Sequence, residues 1–179
     1  MKTLQTISRN QLVVLALPRR LVRDVFSLAA DIAARGPLRV IDGGNLFNVL
    51  TLSRIIRRKV TDVEKALNRI YISRAFTCYQ MESMLHDLPT PHSPVLLLDL
   101  LNTFYDEHVN DQTSQRLLSN CVRHLQRASA SAPVLVSIFP PPKAGCRPFL
   151  IDTLRGAADQ TWQWESRANA PQQMALWSE

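Results

Sequence analysis

Two aspartates and a pair of arginines stand where apolar runs of this chain end, which is where α/β proteins carry out their chemistry. Asp42 closes Leu38–Asp42 and Asp99 follows Val95–Leu98, so each carboxylate falls at the end of a predicted strand. A carboxylate there either accepts backbone hydrogen bonds in a turn or helps to hold a metal ion, and Gly43-Gly44 after Asp42 favours the turn. Upstream, the apolar run 12–17 enters Pro18-Arg19-Arg20. Phosphate binding at that point requires glycines whose N–H groups close around the anion, a Lys for the β- and γ-phosphates and a Ser or Thr for magnesium. None is present: Pro18 has no N–H, and bulky Arg19, Arg20, Leu21 and Val22 open the next segment. His86, His92, His108 and His124 show neither metal-ligand nor triad spacing and are given no role.

The elements that position these groups follow from periodicity. Leu21, Val22, Val25, Phe26, Leu28, Ala29, Ile32 and Ala33 recur at helical spacing until Gly36-Pro37. After the strand Leu38–Asp42, Leu46, Val49, Leu50, Ile55 and Ile56 predict a helix, and Thr61 or Asp62 caps a short one. Residues 69–73 read as a strand, 77–88 as a helix closed by a Pro-rich segment, and Val95–Leu98 as the most apolar strand. Leu117, Leu118, Cys121, Val122, Leu125 and Ala128 form a further helical stripe, and residues 134–139 a strand that runs into Pro140-Pro141-Pro142. Continuous apolar strands separated by helices predict a parallel sheet covered on both faces.

The 179 residues are 46% hydrophobic, enough for one domain to bury a core without disulfides or metals. Cys78, Cys121 and Cys146 are odd in number and lack C-x-x-C spacing, as expected of reduced thiols in the cytoplasm. No apolar stretch approaches membrane-spanning length and no signal-peptide pattern opens the chain. The net charge of +6 is uneven: residues 1–74 hold 14 Lys/Arg against 5 Asp/Glu, and residues 75–179 hold 7 against 10. Arg19, Arg20 and Arg23 form one cluster, and Arg54, Arg57, Arg58 and Lys59 another, able to attract a phosphate backbone or an acidic protein.

Three segments, in this order, resemble the ATPase core of RecA-type recombinases and their archaeal and eukaryotic relatives. VIDGGNLF (40–47) is similar to the family's IDTEGxF strand end. YISRAFTCYQ (71–80), with Arg74, Phe76 and Gln80, is similar to its ARAFxxxxQ segment. VLLLD (95–99), followed by Asn102 to Tyr105, is similar to its Walker B strand and the turn after it. The resemblance covers residues 10–142 and implies an α/β fold: a single three-layer RecA-like domain with a mainly parallel central sheet flanked by helices. Residues 1–166 are assigned to that domain and 167–179 to a flexible tail.

The departures from the family imply the function. Its phosphate loop would fall at Pro18, Arg19 and Arg20, and its water-polarising glutamate at Gly44, which has no side chain. Phosphoryl transfer depends on positioning and charge stabilisation, so these losses imply no hydrolysis and no nucleotide cofactor. Asp99, which in an active relative helps to hold magnesium through water, is expected to bond to local backbone instead. In the family the Arg74 segment lies near the nucleotide and subunit contacts; an internal salt bridge is the other reading of Arg74. The family's two DNA-binding loops would fall at 105–113, which is acidic, and at 140–148, where Lys143 and Arg147 join Arg54, Arg57, Arg58 and Lys59 as nucleic-acid candidates.

The tail adds a second resemblance: Gln173, Leu176 and Trp177 are similar to the peptide by which bacterial repair and replication proteins dock on the sliding clamp. The expectation is therefore a non-catalytic RecA-like paralogue acting as an accessory or assembly protein in DNA repair or recombination. Its expected partners are a RecA-like subunit, a translesion polymerase or the sliding clamp, with DNA as a further candidate and no membrane. One alternative is an unusual ATP-binding, DNA-dependent ATPase using Asp99, Asp42 and strand-end arginines. Another is a regulator of a recombinase or of cell division without DNA contact.

Overall fold

Strands that are apolar along their whole length need cover on both faces, and the arrangement here supplies it. The computed structural model describes residues 11–143 and 146–163. In chain order these form β1 (Leu12–Ala16), a 3-10 turn (Arg19–Leu21), α1 (Val22–Arg35), β2 (Leu38–Asp42), α2 (Val49–Ile56), α3 (Val63–Leu67) and β3 (Ile70–Arg74). Then come α4 (Cys78–His86), β4 (Val95–Leu98), a second 3-10 turn (Leu100–Phe104), α5 (Asp111–Ser129), β5 (Val134–Ile138), α6 (Pro148–Gly156) and β6 (Gln160–Gln163). The strands lie in one sheet, ordered β3-β2-β4-β5-β1-β6, and every pairing is parallel. The fold is α/β with three layers, the arrangement expected of a RecA-like domain.

Alternate side chains of each strand enter opposite cores. From β1, Leu12 and Val14 join the core under α4, α5 and α6, whereas Val13 and Leu15 join the one under α1, α2 and α3. In β4, Val95 and Leu97 divide from Leu96 and Leu98 in the same way. Each such side chain contributes ~1.5–3 kcal/mol on burial. The starts of α2, α3, α4 and α5 are set by side-chain caps: Asn48 accepts from the Thr51 N–H, Asp62 from Lys65, Thr77 from Gln80 and Asn110 from Thr113.

Of the two cap candidates the sequence offers for α3, Asp62 takes the role. The structure differs from the sequence reading further along the chain. The proposed loop 105–113 is shortened because Asn110 starts α5, and the loop 140–148 gives Pro148 to α6. Residues 148–163 carry two elements the periodicity leaves unassigned, α6 with buried Leu150 and Leu154 and the polar strand β6.

The layering fixes where a ligand can approach. Connections leaving β1 and β2 run through α1 and α2–α3 on one face, and those leaving β4 and β5 run through α5 and α6 on the other. Neighbouring strands whose chains depart to opposite faces leave a crevice at their carboxyl ends, here between β1 and β5, between β2 and β4 and, since β3 leaves through α4, between β2 and β3.

Candidate functional site at the carboxyl ends of the strands

Above β1 the chain turns at Pro18 (φ −67°, ψ 146°) into the 3-10 turn, whose Leu21 N–H donates to the Pro18 carbonyl at 2.9 Å. That turn sends Arg19 across the first crevice. Its guanidinium lies 6.0 Å from the centre of the Phe139 ring, at the end of β5, and its Nη2 is 3.8 Å from Asp99 Oδ2. The mouth of this crevice therefore holds a cation facing a carboxylate.

Asp99 is held in an unusual conformation. It is one of three non-glycine residues with positive φ among those described, at φ 52° and ψ 56°. Left-handed backbone costs a side-chain-bearing residue energy, so the surroundings must impose it. Ser137, buried in the middle of β5, supplies one constraint: its Oγ accepts the Asp99 N–H at 3.1 Å and donates to the Leu97 carbonyl at 3.1 Å. The Asp99 side chain is only 3% exposed. Oδ1 accepts a long bond from the Phe139 N–H at 3.4 Å, and Oδ2 accepts none. Burial pushes the Asp99 carboxyl up to about 6, against the Phe139 N–H and Arg19, which favour its ionised form, while Asp42 adds to the rise. Desolvation prevails because the Arg19 side chain is 55% exposed and distant.

Across the second crevice, Gly43 and Gly44 both donate to the Leu98 carbonyl, at 2.8 and 3.1 Å, and so press against the Asp99 turn. A Cβ on Gly44 would stand 2.6 Å from the Asp99 Cβ. The site at which the family resemblance calls for a glutamate therefore excludes any side chain while Asp99 keeps this pose. Asn102 Nδ2 closes the contact by donating to the Gly43 carbonyl at 3.3 Å.

Asp42 is fully buried and fully used. Oδ1 accepts the Leu46 N–H at 3.0 Å, and Oδ2 accepts the Phe47 N–H at 2.9 Å and Arg74 Nε at 3.2 Å. Arg74 Nη2 also reaches Oδ2 at 3.2 Å and the Phe47 carbonyl at 3.4 Å. Asp42 thus organises the turn and Arg74 forms an internal salt bridge. Gln80 is likewise local: its Oε1 accepts the Phe76 N–H at 2.8 Å while its own N–H donates to Thr77 Oγ1, a variant of the capping box. The Phe76 ring is 68% exposed and joins neither hydrophobic core.

The basic candidates divide into two kinds. Arg147 has its side chain 11% exposed and directs its guanidinium inward, to Asp111 at 2.8 Å, Ser114 Oγ at 3.1 Å and the carbonyls of Phe104, Asp106 and Val109. It fastens the 105–110 loop to the start of α5, leaving few donors for phosphate. Lys143 pairs with Glu107, and Lys59 with Asp31 at 2.6 Å and Ser27 Oγ at 2.8 Å. Arg54, Arg57 and Arg58 are exposed on and just after α2, and their side chains have no ion pair or hydrogen bond among the described residues. Arg20 is exposed beside Arg19. Gln173, Leu176 and Trp177 lie outside the described residues.

Sequence reasoning missed Ser137 and Phe139. The only signal was a hydroxyl inside the apolar strand Val134–Ile138, which has no reason to be there unless a buried group needs it. Among the described residues no three His, Cys, Asp or Glu side chains group as metal ligands, and no helix is long and apolar enough to cross a membrane. Comparison with protein-family models finds no match, and no curated protein matches the chain.

Proposed function

We propose that this chain is a RecA-like domain that has lost ATP chemistry and works as an accessory or assembly protein in DNA repair or recombination. The observation that carries the reading is Arg19, which spans the crevice between β1 and β5 and faces Asp99 at 3.8 Å where a triphosphate would need N–H donors. Pro18 offers no such donor, and Gly44 leaves no room for a water-orienting carboxylate. The repair or recombination setting comes from the family resemblance alone. On that basis the partners are a RecA-like subunit, a translesion polymerase or the sliding clamp, the last through Gln173, Leu176 and Trp177.

One observation favours a second reading. Asp99 Oδ2 is buried without a hydrogen bond, so swinging Arg19 aside would present a carboxylate suited to a magnesium-bound water. Titration of the full chain with a fluorescent ATP analogue and magnesium decides between the two. No saturable binding up to millimolar analogue is expected; micromolar binding abolished by Asp99→Ala would establish the nucleotide-binding alternative. A clamp pull-down with and without the last seven residues tests the tail: retention unaffected by the deletion removes the clamp from the partner set.

A further inference from the structure

Prolines precede three adjacent strands of the sheet: Pro37 stands before β2, Pro94 before β4 and Pro133 before β5. Together they edge a pocket of about 280 Å³ at the amino ends of these strands, the opposite end of the sheet from Arg19 and Asp99. Ile32 of α1 and Leu135 of β5, both buried, complete its apolar wall. A proline has a fixed φ and no N–H, so this wall is stiff and the three rings offer no donor. The Pro94 and Pro133 carbonyls are taken by the sheet, accepting from the Arg39 and Val95 N–H groups at 3.0 and 2.9 Å. The polar side chains of the lining are Arg35, at the end of α1, and His92 and Ser93, in the connection to β4. Arg35 and His92 are exposed, their side chains have no ion pair or hydrogen bond among the described residues, and no carboxylate lines the pocket. The carboxyl end of a helix repels an anion, but here the Ala34 carbonyl accepts from Arg69 Nη1 at 3.3 Å, which offsets the dipole. Gly36 also lines the pocket. Its backbone is extended, at φ −178° and ψ −172°, and a Cβ would meet nothing within 4 Å, so neither a left-handed cap nor tight packing calls for glycine there.

We propose that this pocket binds a small free carboxylic acid whose apolar body is the size of one ring and a short arm. The ring rests on Ile32, Leu135 and the prolines, and the carboxylate takes the guanidinium of Arg35, with His92 as a second donor. Size sets the body: an apolar cavity of about 150 Å³ holds a benzene ring, so the volume here takes a ring and little more. Charge sets the head: a guanidinium fork matches a carboxylate with two parallel hydrogen bonds, and Arg35 has no such partner among the described residues. A neutral body of the same shape leaves that fork unused, and a cationic one is repelled by it. A largely apolar lining with a few polar groups, held by residues that need no rearrangement, is the composition of ligand pockets. The site is separate from the crevices at the carboxyl ends of the strands, and it stands whether or not ATP chemistry has been lost.

The test is an NMR amide-shift titration of the isotope-labelled full chain with phenylpropionate, phenylpropanol and phenylpropylamine, which share one body and differ in the head group. Phenylpropionate should saturate with a dissociation constant of about 5 mM or tighter, shifting the Gly36, Ser93 and Leu135 amides and leaving those of Gly43 and Phe139 in place. The alcohol and the amine should bind at least about tenfold more weakly. Arg35→Gln should remove that advantage by weakening the acid to the level of the alcohol, and circular dichroism checks its fold. No saturable shift with the acid, an alcohol as tight as the acid, or acid affinity unchanged by Arg35→Gln overturns the proposal. So do shifts gathered at Gly43 and Phe139 instead. Acetyl-Gly-Phe carries the same ring and carboxylate at the end of a peptide: weaker binding than phenylpropionate supports a free acid, whereas tighter binding makes the occupant a chain terminus and overturns it.

Discussion

Asp42 and Asp99 end neighbouring strands, and both are buried, yet the first receives two backbone N–H groups and a guanidinium while the second keeps one oxygen without a hydrogen-bond donor. The first arrangement is what a folded core requires: every lone pair that leaves water finds a partner. The second carries three costs together: a left-handed backbone, a desolvated carboxylate and a cation held at 3.8 Å without a hydrogen bond. Strain and unmet polarity of this kind collect where a structure keeps a group for something other than stability. The difference separates a carboxylate that holds a turn together from one that the turn tolerates.

The comparison predicts opposite signs for two substitutions. Asp42→Ala leaves the Leu46 and Phe47 N–H groups and Arg74 without their acceptor. Removing one member of a buried pair costs about 3–5 kcal/mol, and because the Arg74 side chain is 35% exposed, the lower end, about 3 kcal/mol, is expected in urea unfolding. A loss below about 1 kcal/mol would mean that Asp42 is not the keystone of its turn.

Asp99→Asn should stabilise, and its pH dependence carries the sign. The folded-state carboxyl is raised to about 6 from 3.8, so the folded protein holds this proton more tightly than the unfolded chain. Stability from the protonated group is complete below about 4 and is lost as pH rises through about 6. At pH 8 the wild type should therefore trail the Asn variant by up to about 2–3 kcal/mol, and the gap should close at pH 4. Asparagine tolerates left-handed backbone, so the substitution leaves the turn in place. Unfolding midpoints for the two proteins at pH 4, 6 and 8 measure this. Equal midpoints at pH 8 would remove the distinction between the aspartates.

Much of this pair was readable from the chain because apolar runs end at Asp42 and Asp99, and because Gly43-Gly44 after Asp42 is a local turn signal. The parallel sheet followed from uninterrupted runs such as Val95–Leu98. What could not be read lies across long separations. Ser137 meets Asp99 from 38 positions away, and Arg147 reaches carbonyls in a loop 38 to 43 positions back, so neither partner is visible in a local window. Lys143 and Arg147 look like a basic loop in sequence and prove to be tied to Glu107 and Asp111. β6 escaped because QTWQ offers no apolar run; its place is set by the Asp159 carboxylate, which accepts the Leu12 N–H at 2.7 Å.

Arg19 gives the smallest effect and the sharpest view of the second site. Since its side chain is 55% exposed, its attraction for Asp99 is screened, and Arg19→Ala should cost less than ~1 kcal/mol at pH 8. The ionised Asp99 would then lose its nearest cation, so its carboxyl should rise further and the pH at which stability falls should move up with it. In 1 M salt the wild type should approach the variant, because screening removes the same attraction. In the Asp99→Asn background, Arg19→Ala should have almost no effect, and the double-mutant cycle isolates the coupling. A coupling of zero with an unchanged titration would mean that Arg19 merely rests on Phe139, and that the crevice between β1 and β5 is closed by stacking and not by charge.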